Sequence, residues 1–161
     1  MDPLRTLFHH HFWATLTLID CCLGLPTELL QELVPGTDRA ILNTLGHLVG
    51  SDQRYLEALT GELPASPILP GESPALADLR LRFETQIPRW EGLLDQVAEL
   101  DVTLPARGSW PEVPHAQNVI LLQAIQHGND HRTQICTALS LLGQVPPDID
   151  GWSYWDATRR P

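Results

Sequence analysis

The chain has 161 residues, 43% of them hydrophobic and 19% charged, which is ordinary globular composition and points to one domain over residues 1–161. Its formal charge of −10 argues against sequence-independent binding to nucleic acid or an anionic membrane, both of which need basic patches. No apolar run is long enough for a transmembrane span, and "MDPLRTLFHHHFW" lacks the basic start and apolar run of a secretory leader. The pattern predicts four long helices, a short tail helix and no strand pair. The first runs from about Asp2 to Cys22, with Asp2 as cap and Pro3 at the first helical position. Leu4, Phe8, His11, Thr15, Leu18 and Cys22 share one stripe at helical spacing. Gly24 and Pro26 end it, and "PTELLQELVPG" follows as an apolar connection with room for one short helical turn.

The second helix is expected from about Asp38 to Thr60, ending at Gly61, with Ile41, Leu45, Leu48, Tyr55 and Leu59 on its apolar face. The proline-dense loop "GELPASPILPGES" blocks both helix and ladder. The third helix is expected from Ser73 as N-cap and Pro74 at N1 to about Leu100. Its stripe stays in phase across Pro88, which predicts a kink there. After the irregular "DVTLPARGSWPEVPH", the fourth helix is expected from near Pro114, with Gly143 just past its end. The tail "QVPPDIDGWSYWDATRRP" predicts a short helix docked on the bundle. The fold class is therefore all-α, a four-helix bundle with a short C-terminal helix. Cys21, Cys22 and Cys136 form a poor disulfide framework and read as small hydrophobes in a reducing cytoplasm.

The histidines carry the chemistry. On the fourth helix Ile120, Ala124, His127, His131 and Ala138 fall in a narrow sector, so both imidazoles point at the bundle interior or its edge. Residues four apart have Cβ atoms about 5–6 Å apart, which lets two imidazoles share one ion. Buried imidazoles left unpaired cost about 1–3 kcal/mol per group, and an ion settles two acceptors at once. A third ligand must come from elsewhere, among His9, His10, His11, His47, His115 and the carboxylates. His47 faces small and polar neighbours, which by periodicity makes it a boundary residue. His11 lies on the core stripe, as a hydrogen-bond partner of the site or an extra ligand. His9 and His10 are expected to be exposed, and His115 to be solvated at the start of the fourth helix.

The segments "GHLVGSDQRYLEALTG" and, about eighty residues later, "HGNDHRTQICTALSLLGQVPPDID" resemble the DinB-like family. These are bacterial metal-binding four-helix bundles whose superfamily includes low-molecular-weight-thiol S-transferases. The matching positions are His47, then His127, His131 and Arg132, then Gly143, Pro146, Pro147, Asp150 and Tyr154, and the likeness spans nearly the whole chain. It implies an up-down-down-up bundle and a divalent ion, zinc or nickel, held by His47, His127 and His131. It also implies coordination positions open to water or a thiol, and a homodimer.

Three neutral nitrogens leave a divalent ion with net positive charge, which lowers the pKa of a bound water or thiol. One reading is a transferase that activates a small thiol for attack on an electrophilic substrate. Asp130, Gln123 and Gln134 are then candidates to orient ligands or substrate, and Arg132 either meets a carboxylate or forms a surface or interface ion pair. The alternatives are a metal-dependent hydrolase, which needs a general base, a non-enzymatic metal or small-molecule binder with a stress-related role, and a metal-free bundle with hydrogen-bonded histidines.

Overall fold

The computed structural model describes residues 2–69, 71–96, 103–104 and 115–159. Its elements are α1 (Pro3–Leu23), α2 (Thr27–Leu30), α3 (Ile41–Thr60), α4 (Leu76–Leu94), β1 (Thr103–Leu104), β2 (His115–Ala116), α5 (Gln117–Leu141) and α6 (Gly151–Arg159). The four long helices form an up-down-down-up bundle. Antiparallel α1 and α4 are tied at both ends, by Arg5 to Glu91 and by Arg80 to Asp20. Antiparallel α3 and α5 meet through Tyr55 and Gln123 at one end and through Ile41, Thr44, Gln134 and Ala138 at the other. No described helix is long and apolar enough to cross a membrane.

Each helix boundary follows from local chemistry. Asp2 caps α1 by accepting the Leu4 amide at 3.1 Å, and Pro3 takes the first position, as expected. Gly61 closes α3 at φ 79°, and Gly143 closes α5 at φ 73°. There the Gln144 amide bonds back to the Leu139 carbonyl and the Gly143 amide to that of Ser140, a Schellman turn.

Two starts differ from expectation. α3 begins at Ile41, not Asp38, because Asp38 and Arg39 stay exposed and burial starts with Ile41 and Leu42. α4 begins at Leu76 with Ala75 still extended, not at a Ser73 cap. Pro74 is buried ahead of the helix, so its ring serves packing rather than the first turn. α4 continues through Pro88, which is exposed, and its buried face of Leu79, Phe83, Trp90 and Leu94 stays in phase. α4 ends at Leu94, with Asp95 and Gln96 in a turn, short of the expected Leu100, and α5 begins at Gln117 rather than near Pro114, because His115 and Ala116 pair in β2. β1 and β2 pair antiparallel over two residues each, too short to leave an alternation pattern in the sequence.

The core is continuous between the four helices, with Phe8, Leu18, Ile19, Leu45, Leu48, Leu56 and Leu79 fully buried. Phe8 stacks at 5.0 Å from Trp90 and at 5.9 Å from Phe12. α6 lies against α1, with Tyr154 at 5.5 Å from Trp13. Replacing Phe8 by Ala opens a cavity where no neighbour can collapse freely. We expect a loss of about 3–5 kcal/mol, read as a lower urea midpoint at unchanged slope.

Candidate metal centre

His47 on α3 and His127 and His131 on α5 converge. The Nε2 of His127 lies 3.1 Å from the Nε2 of His47 and 3.0 Å from that of His131. All three ligand atoms fall within 4.8 Å of one another, so they can hold a metal ion. The ring planes stand nearly perpendicular, at 61°, 80° and 89°. Each side chain is half-buried. The helical repeat puts His127 and His131 on one face of α5, and Gly46, where a Cβ would meet nothing within 4 Å, keeps one flank of His47 clear on α3.

The donor set fits a cation. His131 Nδ1–H donates to Gln134 Oε1 at 2.9 Å, which leaves the lone pair on Nε2 facing His127. Three imidazole nitrogens that meet edge to edge can share at most a proton or two. A cation satisfies all three lone pairs. Tetrahedral zinc bonds of about 2.0–2.1 Å put neighbouring nitrogens about 3.3 Å apart, close to the spacing seen. Ligation through Nε2 has a cost, since His127 Nδ1 is buried with no partner among the described residues.

Burial holds two of the three rings neutral. Burial pulls the His127 pKa down to about 3, helped by the neighbouring His131 and His47. Burial likewise takes His47 down to about 4, with His131, Arg39 and Arg54 adding to the effect. At neutral pH neither ring need lose a proton before binding an ion.

Behind the triad sits a buried polar knot that the sequence did not disclose. Arg132, 2% exposed, donates through Nη1 to His11 Nδ1 at 2.8 Å and to Thr15 Oγ1 at 3.1 Å. A guanidinium only donates, so His11 carries its proton on Nε2 and gives it to Asp52 Oδ2 at 2.8 Å. Burial lowers the Arg132 pKa to about 10, opposed by the Asp52 charge, and the side chain stays cationic at neutral pH. Gly128 makes the approach possible. A Cβ there would overlap the His11 ring and stand 2.9 Å from Arg132 Nη1.

Arg132 is therefore neither a surface nor an interface ion pair, because its stripe on α5 faces α1. His11 is not an extra ligand, since both its ring nitrogens are taken by Asp52 and Arg132. Asp52 was missed altogether. Its one signal is a carboxylate at a helix position flanked by buried residues on both sides.

Other expectations divide. His10 is not exposed, because the tail covers it. Its Nε2 donates to the Ile149 carbonyl at 2.8 Å and its ring meets Tyr154 at 5.6 Å. His9 is partly exposed beside Glu91, at 2.7 Å. His115 falls in β2, just before α5, and its expected solvation lies outside the described residues. Of the three helix-four candidates, Gln134 orients His131 and Gln123 reaches the Tyr55 hydroxyl at 3.5 Å. Asp130 is exposed and joins neither. Tyr55 stands edge-on to His127 at 5.7 Å. Cys22 is buried, Cys21 and Cys136 are half-buried, and all three are free thiols.

A family model described as DinB family matches residues 1–160. The chain belongs to the DinB family. The crystal structure of a DinB-like protein from Bacillus cereus ATCC 10987 is similar with a TM-score of 0.67, over 89% of this chain and 93% of that one, at 17% identity. The shared property at that identity is the fold. No curated protein matches the sequence.

Two outcomes follow for this DinB-family chain. Gly128→Ala forces the His11 ring and Arg132 out of register, and we expect a loss of about 3 kcal/mol or more in chemical denaturation, well above the gain Ala normally gives inside a helix. The second concerns pH. His47 and His127 have folded pKa values below their unfolded ones, so the unfolded chain takes up more protons as the pH falls. Metal-free protein should lose stability from about pH 6.5 down towards pH 3, and His127→Gln should make that fall shallower in thermal melts at stepped pH.

Proposed function

We propose that this protein is a divalent-metal-dependent transferase, in which His47, His127 and His131 hold a zinc or nickel ion and a small thiol is joined to an electrophilic small molecule. The observation that carries this reading is the convergence of three Nε2 atoms, with no carboxylate in the cluster among the described residues, beside a cavity of about 280 Å3 that His47 lines. A divalent ion bound there supplies the positive charge that turns a thiol into a thiolate near neutral pH. In the transfer a sulfur–carbon bond forms, the thiol proton goes to solvent, and the electrophile's leaving group departs.

The chain's own residues prepare the site. Burial keeps His47 and His127 neutral, and Gln134 fixes the tautomer and ring plane of His131. Burial raises the Tyr55 pKa, so its hydroxyl keeps its proton, and its ring stands edge-on to His127. A hydrolase would need a base beside the site. Asp52 does not serve, being fully buried and committed to His11.

Untagged protein should carry about one zinc or nickel ion per chain by elemental analysis, and His127→Ala should lose nearly all of it. Loaded protein should conjugate monochlorobimane to one member of a panel of small thiols, with the rate falling at least about a hundredfold in His127→Ala. Metal content equal in both proteins sinks the clamp. Full metal content with no turnover across the panel sinks the transferase.

A further inference from the structure

The cavity beside His47 lies between α3 and the loop that leads to α4. Its loop wall is held residue by residue. The Ser66 carbonyl accepts from Gln53 Nε2 at 3.0 Å, and the Pro67 carbonyl accepts from Arg82 Nη1 at 3.2 Å. The Ile68 amide donates to Gln53 Oε1 at 2.8 Å, and the Leu69 amide donates to Glu72 Oε2 at 2.9 Å. Gln53 is 3% exposed, so both ends of a buried side-chain amide are committed to this one stretch of loop. Backbone groups matched in this way make residues 66–69 a preformed wall.

What the wall presents is apolar. Ile68 and Leu69 both line the cavity, and Leu69 is 61% exposed. Ile68 is half-buried and lies directly on α3. A Cβ at Gly50 would stand 3.4 Å from Ile68 Cβ and 3.6 Å from its Cγ2. Gly50 is one helical turn past His47, so the two positions are neighbours on one face of α3, about 5–6 Å apart. At Gly46, beside His47 on the same face, a Cβ would meet nothing within 4 Å, so the space there is unfilled. An isoleucine is thereby fixed at one edge of an open space whose other edge is a candidate metal ligand. Apolar surface held open in this way forgoes the stabilisation of burial, and a ligand that covers it recovers that stabilisation.

We propose that Ile68 and Leu69 form a subsite for an apolar group of the electrophile. The metal centre then acts on electrophiles that carry an aryl or branched alkyl group a few atoms from the reacting carbon, and Ile68 determines that specificity. This rests on the thiol reading above and adds the class of the second substrate to it. With an alkyl chloride, the thiol sulfur bonds to the reacting carbon and the carbon–chlorine bond breaks. Chloride leaves with the bonding pair, and the thiol proton goes to solvent.

The test compares 2-chloroacetamide with 2-chloro-N-benzylacetamide. The two share the reacting carbon and the leaving group and differ by the benzyl group. Metal-loaded protein, with the most active thiol of the panel, should favour the benzyl compound about tenfold in kcat/KM. That ratio should fall about fivefold in Ile68→Thr but less than about twofold in Ile68→Val, which has the same shape without the hydroxyl. A purely structural role for Ile68 would change both substrates together and leave the ratio where it was. Circular dichroism checks that both variants fold. An equal or reversed ratio in the unaltered protein overturns the subsite and leaves the thiol reading standing. An undiminished ratio in Ile68→Thr also overturns it, since the benzyl group then lies elsewhere. If neither compound is turned over with any thiol, the thiol reading fails. The subsite is then judged alone by titrating metal-free protein with unreactive N-benzylacetamide and following nuclear magnetic resonance shifts. Binding weakened in Ile68→Thr and kept in Ile68→Val supports it. Equal binding in all three proteins, or none in the unaltered one, overturns it.

Discussion

Arg132 sets the rotation of α5, and the candidate site depends on that rotation. Its guanidinium reaches across to His11 and Thr15 on α1, and His11 passes the contact on to Asp52 on α3. Three helices are thereby fixed to one another by directional bonds rather than by apolar contact alone. Consecutive residues on a helix lie about 100° apart, so Gly128 and Arg132 form one stripe and His127 and His131 the next. Seating the first stripe against α1 turns the second toward His47. Gly128 is the hinge of this arrangement, because only hydrogen in place of a Cβ lets the His11 ring lie against the helix.

The knot and the triad obey opposite electrostatic rules a few residues apart. The knot is charged and largely satisfied, with a cationic Arg132 and the Asp52 carboxylate bridged by a neutral His11. Buried ion networks add little net stability over apolar packing, and their use is to fix orientation. The triad is under-satisfied, with His47 and His127 held neutral by burial, three lone pairs turned toward one point and His127 Nδ1 without a partner among the described residues. Asp52 Oδ1 is likewise unpartnered. Strain of this kind is tolerated beside a rigid frame, and the frame here is the knot together with the Phe8–Trp90 core.

Much of this was legible in the sequence because helix spacing and end signals are local. The Asp2–Pro3 start, the Gly61 and Gly143 stops and the inward sector of His127 and His131 all depend on neighbours within one or two turns. The family resemblance supplied His47, which spacing left as a boundary residue. Errors came where distant segments decide. Pro74 and Asp38 carry good helix-start chemistry, yet burial of Pro74 itself and of Ile41 fixes where the first turns begin. His10 reads as exposed on α1 alone, but Ile149 and Tyr154 arrive from the other end of the chain to cover it. Arg132 reads as a surface cation because nothing nearby in sequence reveals His11 and Asp52.

The sequence by itself determined that this chain is an all-α bundle with two histidines four apart on an inner face, and the family pattern added a third. It could do so because helical periodicity and capping are encoded over a few residues. Only the tertiary structure decided which nitrogens meet, which histidine is tied to Asp52 and Arg132 instead, and that Arg39 and Arg54 border the same cavity as His47. Those outcomes depend on the relative rotation of helices far apart in the chain. That rotation is set by the buried contact among His11, Asp52, Gly128 and Arg132, which no single helix contains.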